Sequence, residues 1–376
     1  MLLILIYCIF GIVSADKLLQ IQTVCRHGDR APEGTYKNDP YQEDFWPMGW
    51  GELTTVGMAQ HFMQGTKLRQ KYIDKLQLLP PKYEAKYIYV RSDDSTRTIM
   101  SAMSILAGFY SESNGTHPDI PEWPNNFSPI PVHNVAHDTD HLINAHAKCP
   151  RSTFLRDAAL ADKKFLEYVA TVLPYLEKVS EQTGDPPTDF KSFGNAFDAI
   201  YIEKQHNLTM PDWITDNLYA NLLNLSYTLV DIMNGAPNFG RKEDTELIML
   251  EGGVLLNEMI ANMENAINGD NKKYHLYSGH DTTIAAHLRT FGAKEGALGI
   301  VTPFFGSMSV VELWDGDGKP YIKLWYSDNS AVPFRDITQF IGDCGGKDKC
   351  DFENFKVRSQ PYIATPENIV EKCDKL

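Results

Sequence analysis

The stretch Arg26-His27-Gly28-Asp29-Arg30-Ala31-Pro32 places two arginines and a histidine within five residues. It directly follows an apolar-rich run, residues 18–24, whose partial alternation predicts a β-strand. Open α/β sheets bind their ligands at the carboxyl ends of strands. Arginine offers a planar fork of donors suited to phosphate oxygens, and imidazole is a good nucleophile near working pH. The stretch therefore predicts a phosphate site with His27 as nucleophile and with Arg26 and Arg30 as binding groups.

A second predicted strand, residues 274–278, runs into Gly279-His280-Asp281. His280 would add a donor to the phosphate. Asp281 would protonate the leaving oxygen and then deprotonate water for the return step. The alternative for Asp281 is a helix cap, and both roles can hold because a helix is predicted to start there.

The third charged segment extends from Arg91 to Arg97. It also follows a predicted strand, residues 86–90, and opens a predicted helix, a geometry that favours anions. We predict that Arg97 binds phosphate, because the start of the helix would aim its side chain inward. A surface ion pair is the alternative for this residue.

The order of the predicted elements indicates the fold class. Strands and helices alternate up to residue 110, residues 152–235 are mostly helical, and strands resume near residue 274. This order predicts an α/β fold with a mostly parallel central sheet flanked by helices. We expect an α/β core formed by residues 16–112 and 240–376, with a mainly helical cap inserted at residues 113–239.

The N-terminus predicts export. Residues 2–13 are apolar or glycine, which is too short for a membrane span of about 20 residues but long enough for the core of a signal peptide. We expect residues 1–15 to form a signal peptide that is cleaved after Ala15, and a buried first strand is the alternative. No later apolar run reaches the length of a membrane span, so no membrane anchor is expected.

Five cysteines follow the predicted signal peptide, so two disulfides can form in an oxidising compartment. Cys344 and Cys350 flank a Gly-Gly turn and could close a short loop. Cys25 lies in an apolar run and is expected to be buried and free. Four glycosylation sequons support export; they begin at Asn114, Asn126, Asn207 and Asn224.

Composition and charge exclude other classes of protein. Hydrophobic residues make up 43% and charged residues 22% of the 376 residues, which are globular values. The formal net charge of −14 would repel a nucleic acid backbone, so we expect no nucleic acid partner.

Together these segments resemble the histidine acid phosphatases, in the second branch of the histidine phosphatase superfamily. The resemblance covers nearly the whole mature chain and also includes residues 51–57 and 251–257. The sequence is most similar to secreted invertebrate members, including venom acid phosphatases. This resemblance implies a phosphoglycerate-mutase-like core, small-molecule phosphate monoesters as substrates, and neither a cofactor nor a metal.

The resemblance also implies roles for individual residues. His27 would be phosphorylated and Asp281 would be the proton donor. The suggested disulfides are Cys149–Cys373 and Cys344–Cys350. A lysosomal destination and a homodimer stay open. The implied ligands of the phosphoryl oxygens are Arg26, Arg30, Arg97 and His280.

Three alternatives remain at this level. The first is a zinc site, because His133, His137 and His141 are spaced by four residues, with His146 beyond; Pro131 and the interrupting acids argue against the helix that it needs. The second is a secreted binding protein of the same fold without catalysis. The third is a phytase-like specialist, which the excess of acidic over basic residues disfavours.

Overall fold

The computed structural model describes residues 16–124, 127–184, 186, 190–344 and 346–375. The predicted signal peptide and the sequon at Asn126 lie outside the described residues, so both stay predictions. The asparagines of the other three sequons, Asn114, Asn207 and Asn224, are exposed.

A seven-stranded sheet crosses the described part of the chain in the order β2-β3-β1-β4-β5-β6, with β7 paired to β5. Beyond a register shift near its start, the central strand β1 alternates: Ile21 and Cys25 face one layer of helices, whereas Val24 faces the other. The strands are β1 (Lys17–Arg26), β2 (Ile88–Ser92), β3 (Tyr274–Gly279), β4 (Met308–Asp315), β5 (Pro320–Ser327), β6 (Arg335–Asp336) and β7 (Cys350–Asp351).

The α/β class with a central sheet flanked by helices is confirmed, but the sheet is mixed rather than mostly parallel. Among the described strands, the parallel pairs are those that β3 forms with β1 and with β2. β4 lies antiparallel to β1, and β5 returns from β4 across a tight turn at residues 316–319, which requires an antiparallel pair. The parallel part of the sheet is the part that carries the charged strand ends.

Helices cover both faces of the sheet and build a further layer. α1 and α2 pack on one face, and α7, α8 and α10 pack on the other. The helices are α1 (Thr55–Arg69), α2 (Thr96–Phe109), α3 (Pro150–Leu160), α4 (Lys163–Thr183), α5 (Phe190–Gln205), α6 (Asp216–Met233), α7 (Thr245–Ile267), α8 (Asp281–Thr290), α9 (Lys294–Leu298), α10 (Phe352–Ser359) and α11 (Ile369–Cys373).

Helices α4, α5 and α6 enclose an apolar core of their own. Phe165, Phe197 and Leu222 lie in it, and Tyr36, from the first third of the chain, joins them. This helical layer falls inside residues 113–239, where the sequence predicts an inserted cap. The cap boundaries themselves stay a prediction. Among the residues that the structure describes, no helix has the length and apolarity needed to cross a membrane.

Two disulfides lie on the side of the sheet that carries α7. Cys149, at the start of α3, is bonded to Cys373, and Cys344 is bonded to Cys350. Cys25 is free and buried within β1. These are the pairs that the resemblance suggests.

A close backbone contact holds the segment after β1 against α1. A Cβ atom built on Gly57 would lie 2.2 Å from the carbonyl oxygen of Asp29, and one on Gly28 would lie 2.4 Å from that of Gly57. Thr54 caps α1 by accepting from the Gly57 amide, and its hydroxyl also donates to the Asp29 carboxylate. Only glycine therefore lets the helix approach the charged segment this closely.

We expect Gly57→Ala to lower the free energy of unfolding by about 1–3 kcal/mol, the usual cost of overpacking. Urea unfolding followed by circular dichroism measures it. Gly194→Ala is the matched control, because a Cβ there meets no atom within 4 Å on an exposed face of α5. That variant should be neutral or gain up to about 1 kcal/mol. Equal unfolding curves for Gly57→Ala and the parent protein would contradict the steric argument.

Candidate active site

Register across the three parallel strands brings their carboxyl ends together. Arg26 pairs with Gly279 across β1 and β3, and Ser92 pairs with Ser278 across β2 and β3. The residues that follow the three strands are therefore neighbours at one edge of the sheet. Backbone hydrogen bonds continue this alignment, since His27 donates to the Gly279 carbonyl (2.9 Å) and Asp93 donates to that of Ser278 (2.9 Å).

His27 lies at the centre of this edge and is almost fully buried. Its Nδ1 lies 2.9 Å from the carbonyl oxygen of Gly28. Because a carbonyl oxygen only accepts, Nδ1 carries the proton and the lone pair is left on Nε2. The ring lies edge-on to that of His280 at 5.4 Å between centroids and packs on Phe305 at 5.7 Å. The fold thus fixes the tautomer that a nucleophilic imidazole requires.

Burial and the surrounding cations hold the pKa of His27 well below its usual value of 6.5. After burial, the cationic contributions come from Arg26, His280, Arg30 and Arg97. All the basic groups that the sequence predicts for the phosphate site therefore act on this one ring.

The lowered pKa predicts that His27 stays neutral at mildly acidic pH. A histidine with a depressed pKa gains its proton only when the pH falls below that lowered value, so this ring remains unprotonated as the pH falls below 6.5, where an ordinary imidazole becomes charged. Long-range ¹H–¹⁵N NMR spectra of the free protein, compared with those of His27→Ala for assignment, measure this. Titration of the His27 signals near pH 6.5 would contradict it.

Each of the three candidate arginines is paired with a carboxylate. Arg30 makes a bidentate contact with Asp198 of α5, at 2.9 and 3.0 Å. Arg97 contacts the exposed Glu33 at 2.9 Å. Arg97 thus makes the surface ion pair that was its alternative, and it also acts electrostatically on His27, while its binding of phosphate stays a prediction.

Arg26 contacts Asp281 directly. Its guanidinium lies 3.1 Å from the Asp281 carboxylate, donates to the Pro303 carbonyl at 2.6 Å and lies over the ring of Phe305, 4.1 Å from the centroid. Burial alone would raise the pKa of Asp281, but Arg26, followed by His280, outweighs burial and lowers it below its usual value. Asp281 is therefore a carboxylate in the free protein. A bound phosphate anion would favour its protonated form.

His280 is oriented by a second carboxylate. Its Nε2 lies 2.9 Å from one oxygen of the fully buried Asp93, and Nδ1 of His137 lies 2.8 Å from the other. Burial would raise the pKa of Asp93, but its hydrogen bonds and charge interactions with His280 and His137 lower the pKa to about 2. Asp93 thus presents a permanent negative charge to His280.

Two cavities adjoin these side chains. One of about 150 Å³ is lined by Arg26, Arg30 and Asp281 together with Tyr201 and Tyr227. A larger one of about 740 Å³ shares Tyr201 and extends over Phe305. The small cavity brings Arg26 and Arg30 together with Asp281, and the large one offers space beside them.

The chain matches the histidine phosphatase superfamily (branch 2) over residues 17–327. It belongs to that superfamily. Prostatic acid phosphatase of Mus musculus is 32% identical over 357 residues, which cover 93% of this chain and 88% of the relative. Lysosomal acid phosphatase of Xenopus laevis is 29% identical, over 97% of this chain and 81% of the relative. This family is enzymatic, and the chain is an enzyme of the acid phosphatase group.

Solved structures agree on the fold. A Klebsiella phytase superposes with a TM-score of 0.66, covering 94% of this chain and 97% of that chain at 20% identity. At this identity the likeness concerns the fold alone.

Some residues of this histidine phosphatase site could not be found from the sequence. Asp198 and Phe305 lie 168 and 275 positions from Arg30, in segments without a diagnostic motif. Asp93 lies inside the charged segment from Arg91 to Arg97, where the sequence indicates a role for Arg97 alone. Arg91, the other arginine of that segment, is buried against Asp140 at 2.7 Å and holds the loop rather than the site.

The row of histidines does not form the helix that a zinc site would need. His137 begins a single 3-10 turn, His137–Thr139, and His133 stacks on Tyr89 with 5.2 Å between centroids. His137 joins Asp93 and His280, whereas neither His133 nor His141 belongs to that group.

Proposed function

We propose that the protein is a secreted acid phosphatase that hydrolyses phosphate monoesters through a covalent phosphohistidine on His27. The observation that carries the proposal is the tautomer of His27, with its lone pair on Nε2, among three arginines and beside Asp281. The family relationship supports the same activity.

In the first step Nε2 of His27 attacks phosphorus in line, and the bond between phosphorus and the ester oxygen breaks. Asp281 gives its proton to that oxygen, so that a neutral alcohol leaves. The charge on the three remaining oxygens is met by Arg26, Arg30, Arg97 and His280. Transfer of a phosphoryl group depends mainly on such positioning and charge stabilisation.

In the second step a water molecule attacks the phosphohistidine. Asp281, now a carboxylate, accepts a proton from that water, and the P–N bond breaks to return His27 and release inorganic phosphate. The ion pair with Arg26 fits this step because it stabilises the carboxylate form of Asp281. The same residue thus acts first as acid and then as base.

The leaving group is proposed to occupy the 740 Å³ cavity. Tyr201, Phe304 and Phe305 line it, and neither lysine nor arginine occurs among its described lining residues. The one basic group among them, His206, is already paired with Asp29 at 2.9 Å. A polyphosphorylated leaving group would need cations there. The cavity therefore favours monoesters of uncharged or aromatic alcohols over a phytase-like specialisation.

A direct assay tests the proposal. Purified protein should hydrolyse p-nitrophenyl phosphate at about pH 5 in the presence of a metal chelator, because no step above uses a metal. A folded protein without turnover would instead favour the binding protein without catalysis. Activity that disappears in chelator would overturn the mechanism. Competing aryl, sugar, nucleotide and lipid monoesters would then rank the substrates.

Export is part of the proposal and has its own test. The predicted signal peptide, the exposed sequons and the relationship to prostatic and lysosomal enzymes support a secreted or lysosomal destination. The closer likeness to secreted invertebrate members also stays a prediction. Expression in insect cells should yield protein in the medium that begins at Asp16. Retention of residues 1–15 on the purified protein would contradict it.

We expect Arg30→Lys to lower kcat by about ten- to a thousandfold, because lysine keeps the charge but loses the two-pronged donor. In the bidentate contact with Asp198, both terminal nitrogens of the Arg30 guanidinium are held in position by the fold. Steady-state kinetics measure the change, with the thermal unfolding midpoint as a control for folding. An unchanged kcat would remove Arg30 from the stabilisation of the transition state.

A further inference from the structure

Asp93, His137 and His280 form a compact group of metal-ligating side chains, named here the Asp93 cluster. Both carboxylate oxygens of Asp93 are engaged, one by each histidine, and one ligand atom from each residue lies within 4.8 Å of the other two. The phosphatase mechanism uses His280 alone among the three. Nothing in that mechanism requires a second histidine on the far side of Asp93.

The ligand set has a clear chemical preference. Two imidazole nitrogens and one carboxylate oxygen suit divalent first-row transition metals rather than Mg²⁺ or Ca²⁺, which prefer oxygen ligands. Zn²⁺ binds such atoms at about 2.0–2.2 Å, which sets tetrahedral ligand atoms about 3.3–3.5 Å apart. The histidine contacts with the two Asp93 oxygens, at 2.8 and 2.9 Å, are shorter than this spacing, and one ligand atom from each residue lies within 4.8 Å of the other two, so an ion needs only local adjustment of the side chains.

The three ligands differ in exposure in the way that an accessible site requires. The side chain of Asp93 is fully buried, that of His280 is 12% exposed and that of His137 is 48% exposed. An ion can therefore enter beside His137 and keep a water molecule in its fourth position. Rotation of the half-exposed His137 ring changes its distance to the other two ligand atoms without moving the buried Asp93.

The backbone around the cluster is fixed. Asp93 donates its amide to the Ser278 carbonyl, and the His280 amide donates to Thr283 Oγ1 at 3.0 Å. The His137 carbonyl accepts from Asn144 Nδ2 at 2.9 Å. The ligands are thus held near their positions before any ion arrives, which limits the entropy that binding must lose.

Some charges on the neighbouring elements oppose a bound cation and others favour it. Arg97 at the start of α2 opposes a cation, whereas the carboxylate of Asp281 at the start of α8 favours it. Asp93 is itself a carboxylate, so the cluster supplies one negative charge to the ion.

We propose that the Asp93 cluster is a binding site for a divalent transition-metal ion of the Zn²⁺ class. The site shares His280 with the phosphate pocket but needs no turnover to be observed. Binding is therefore measured separately from phosphatase activity, and the two proposals fail independently.

Isothermal titration of the untagged full chain with ZnCl₂ tests the proposal, in phosphate-free buffer near pH 7.5, where imidazole is neutral. We expect one ion per chain, with at least tenfold weaker binding for His137→Ala. His133→Ala is the matched control, because it removes an exposed histidine four positions earlier that lies outside the cluster. Its affinity should stay within about twofold of the parent protein.

A second measurement uses the carboxylate and another ion. Asp93→Asn should weaken binding, whereas Asp94→Asn, which changes the exposed neighbour, should not. Co²⁺ bound to the parent protein should give the visible absorption bands of a nitrogen-ligated ion, and these bands should be absent with His137→Ala. The Co²⁺ spectrum tests the proposal even where Asp93→Asn does not fold. Equal affinities of the parent protein and His137→Ala, or no saturable binding at about 0.1 mM ion, would overturn the proposal.

Discussion

His27→Ala is expected to lower kcat for p-nitrophenyl phosphate by at least about 10⁴-fold, the scale on which enzymes lose activity when a covalent nucleophile is removed. The pocket would keep its arginines and still bind phosphate, so KM or the affinity for inorganic phosphate should change far less. The lost interaction is a bond to phosphorus, which the neighbouring groups do not replace. The arginines are cationic and Asp281 is paired with Arg26. Nε2 of His280 is engaged by Asp93.

Rapid-quench experiments with ³²P-labelled substrate test this prediction directly. The parent protein should carry label that survives base and is lost in acid, as phosphohistidine is, and His27→Ala should carry none. Near-UV circular dichroism controls for folding, and His133→Ala controls for loss of a histidine elsewhere. Residual turnover above about one tenth of the parent value would mean that His27 is not the nucleophile.

Asp281→Asn should lower kcat/KM far more for esters with poor leaving groups than for esters with good ones. An alkyl phosphate needs a proton on its departing oxygen, so we expect kcat/KM to fall by about 10²–10⁴-fold. p-Nitrophenolate leaves without a proton, and its ester should lose less than about tenfold in kcat/KM. Asparagine retains a side-chain oxygen that can accept from the Thr282 amide, as Asp281 does at 2.9 Å, so the start of α8 should persist.

The choice of kcat/KM matters for this comparison. Asp281 is also proposed to act as base in the second step, which is common to all esters and would lower kcat for both. The ratio kcat/KM covers only the steps up to release of the alcohol, so the leaving group alone distinguishes the two esters. Equal losses of kcat/KM on both esters would remove Asp281 from the role of general acid.

The sequence predicts the strand ends well because the signals there are local. An apolar run followed by Arg26-His27-Gly28 indicates a buried strand that ends at charged residues. Parallel neighbouring strands place their carboxyl ends at the same edge of the sheet. The mixed sheet could not be predicted in the same way, since the pairing of β4 with β1 joins segments that lie almost 300 residues apart. Neighbours in a sheet are chosen by the packing of the whole chain.

The groups that orient the site were also beyond local reasoning. Asp198 holds Arg30 from a helix in a different layer, across 168 residues. Asp93 gains its function only because Ser92 and Ser278 pair, which sets it beside His280. His137 follows the same rule, since its partner lies 44 positions earlier and no helical spacing links them.

The Cys149–Cys373 bond also sets an order of events during synthesis. The two cysteines are 224 residues apart, so at about 5–20 residues per second Cys149 waits about 10–45 s for its partner to be made. Cys344 and Cys350 emerge within that interval. Each can capture the waiting thiol unless they first close their own short loop. Early closure of the small loop, or an isomerase that corrects mispaired chains, therefore favours the correct pairs.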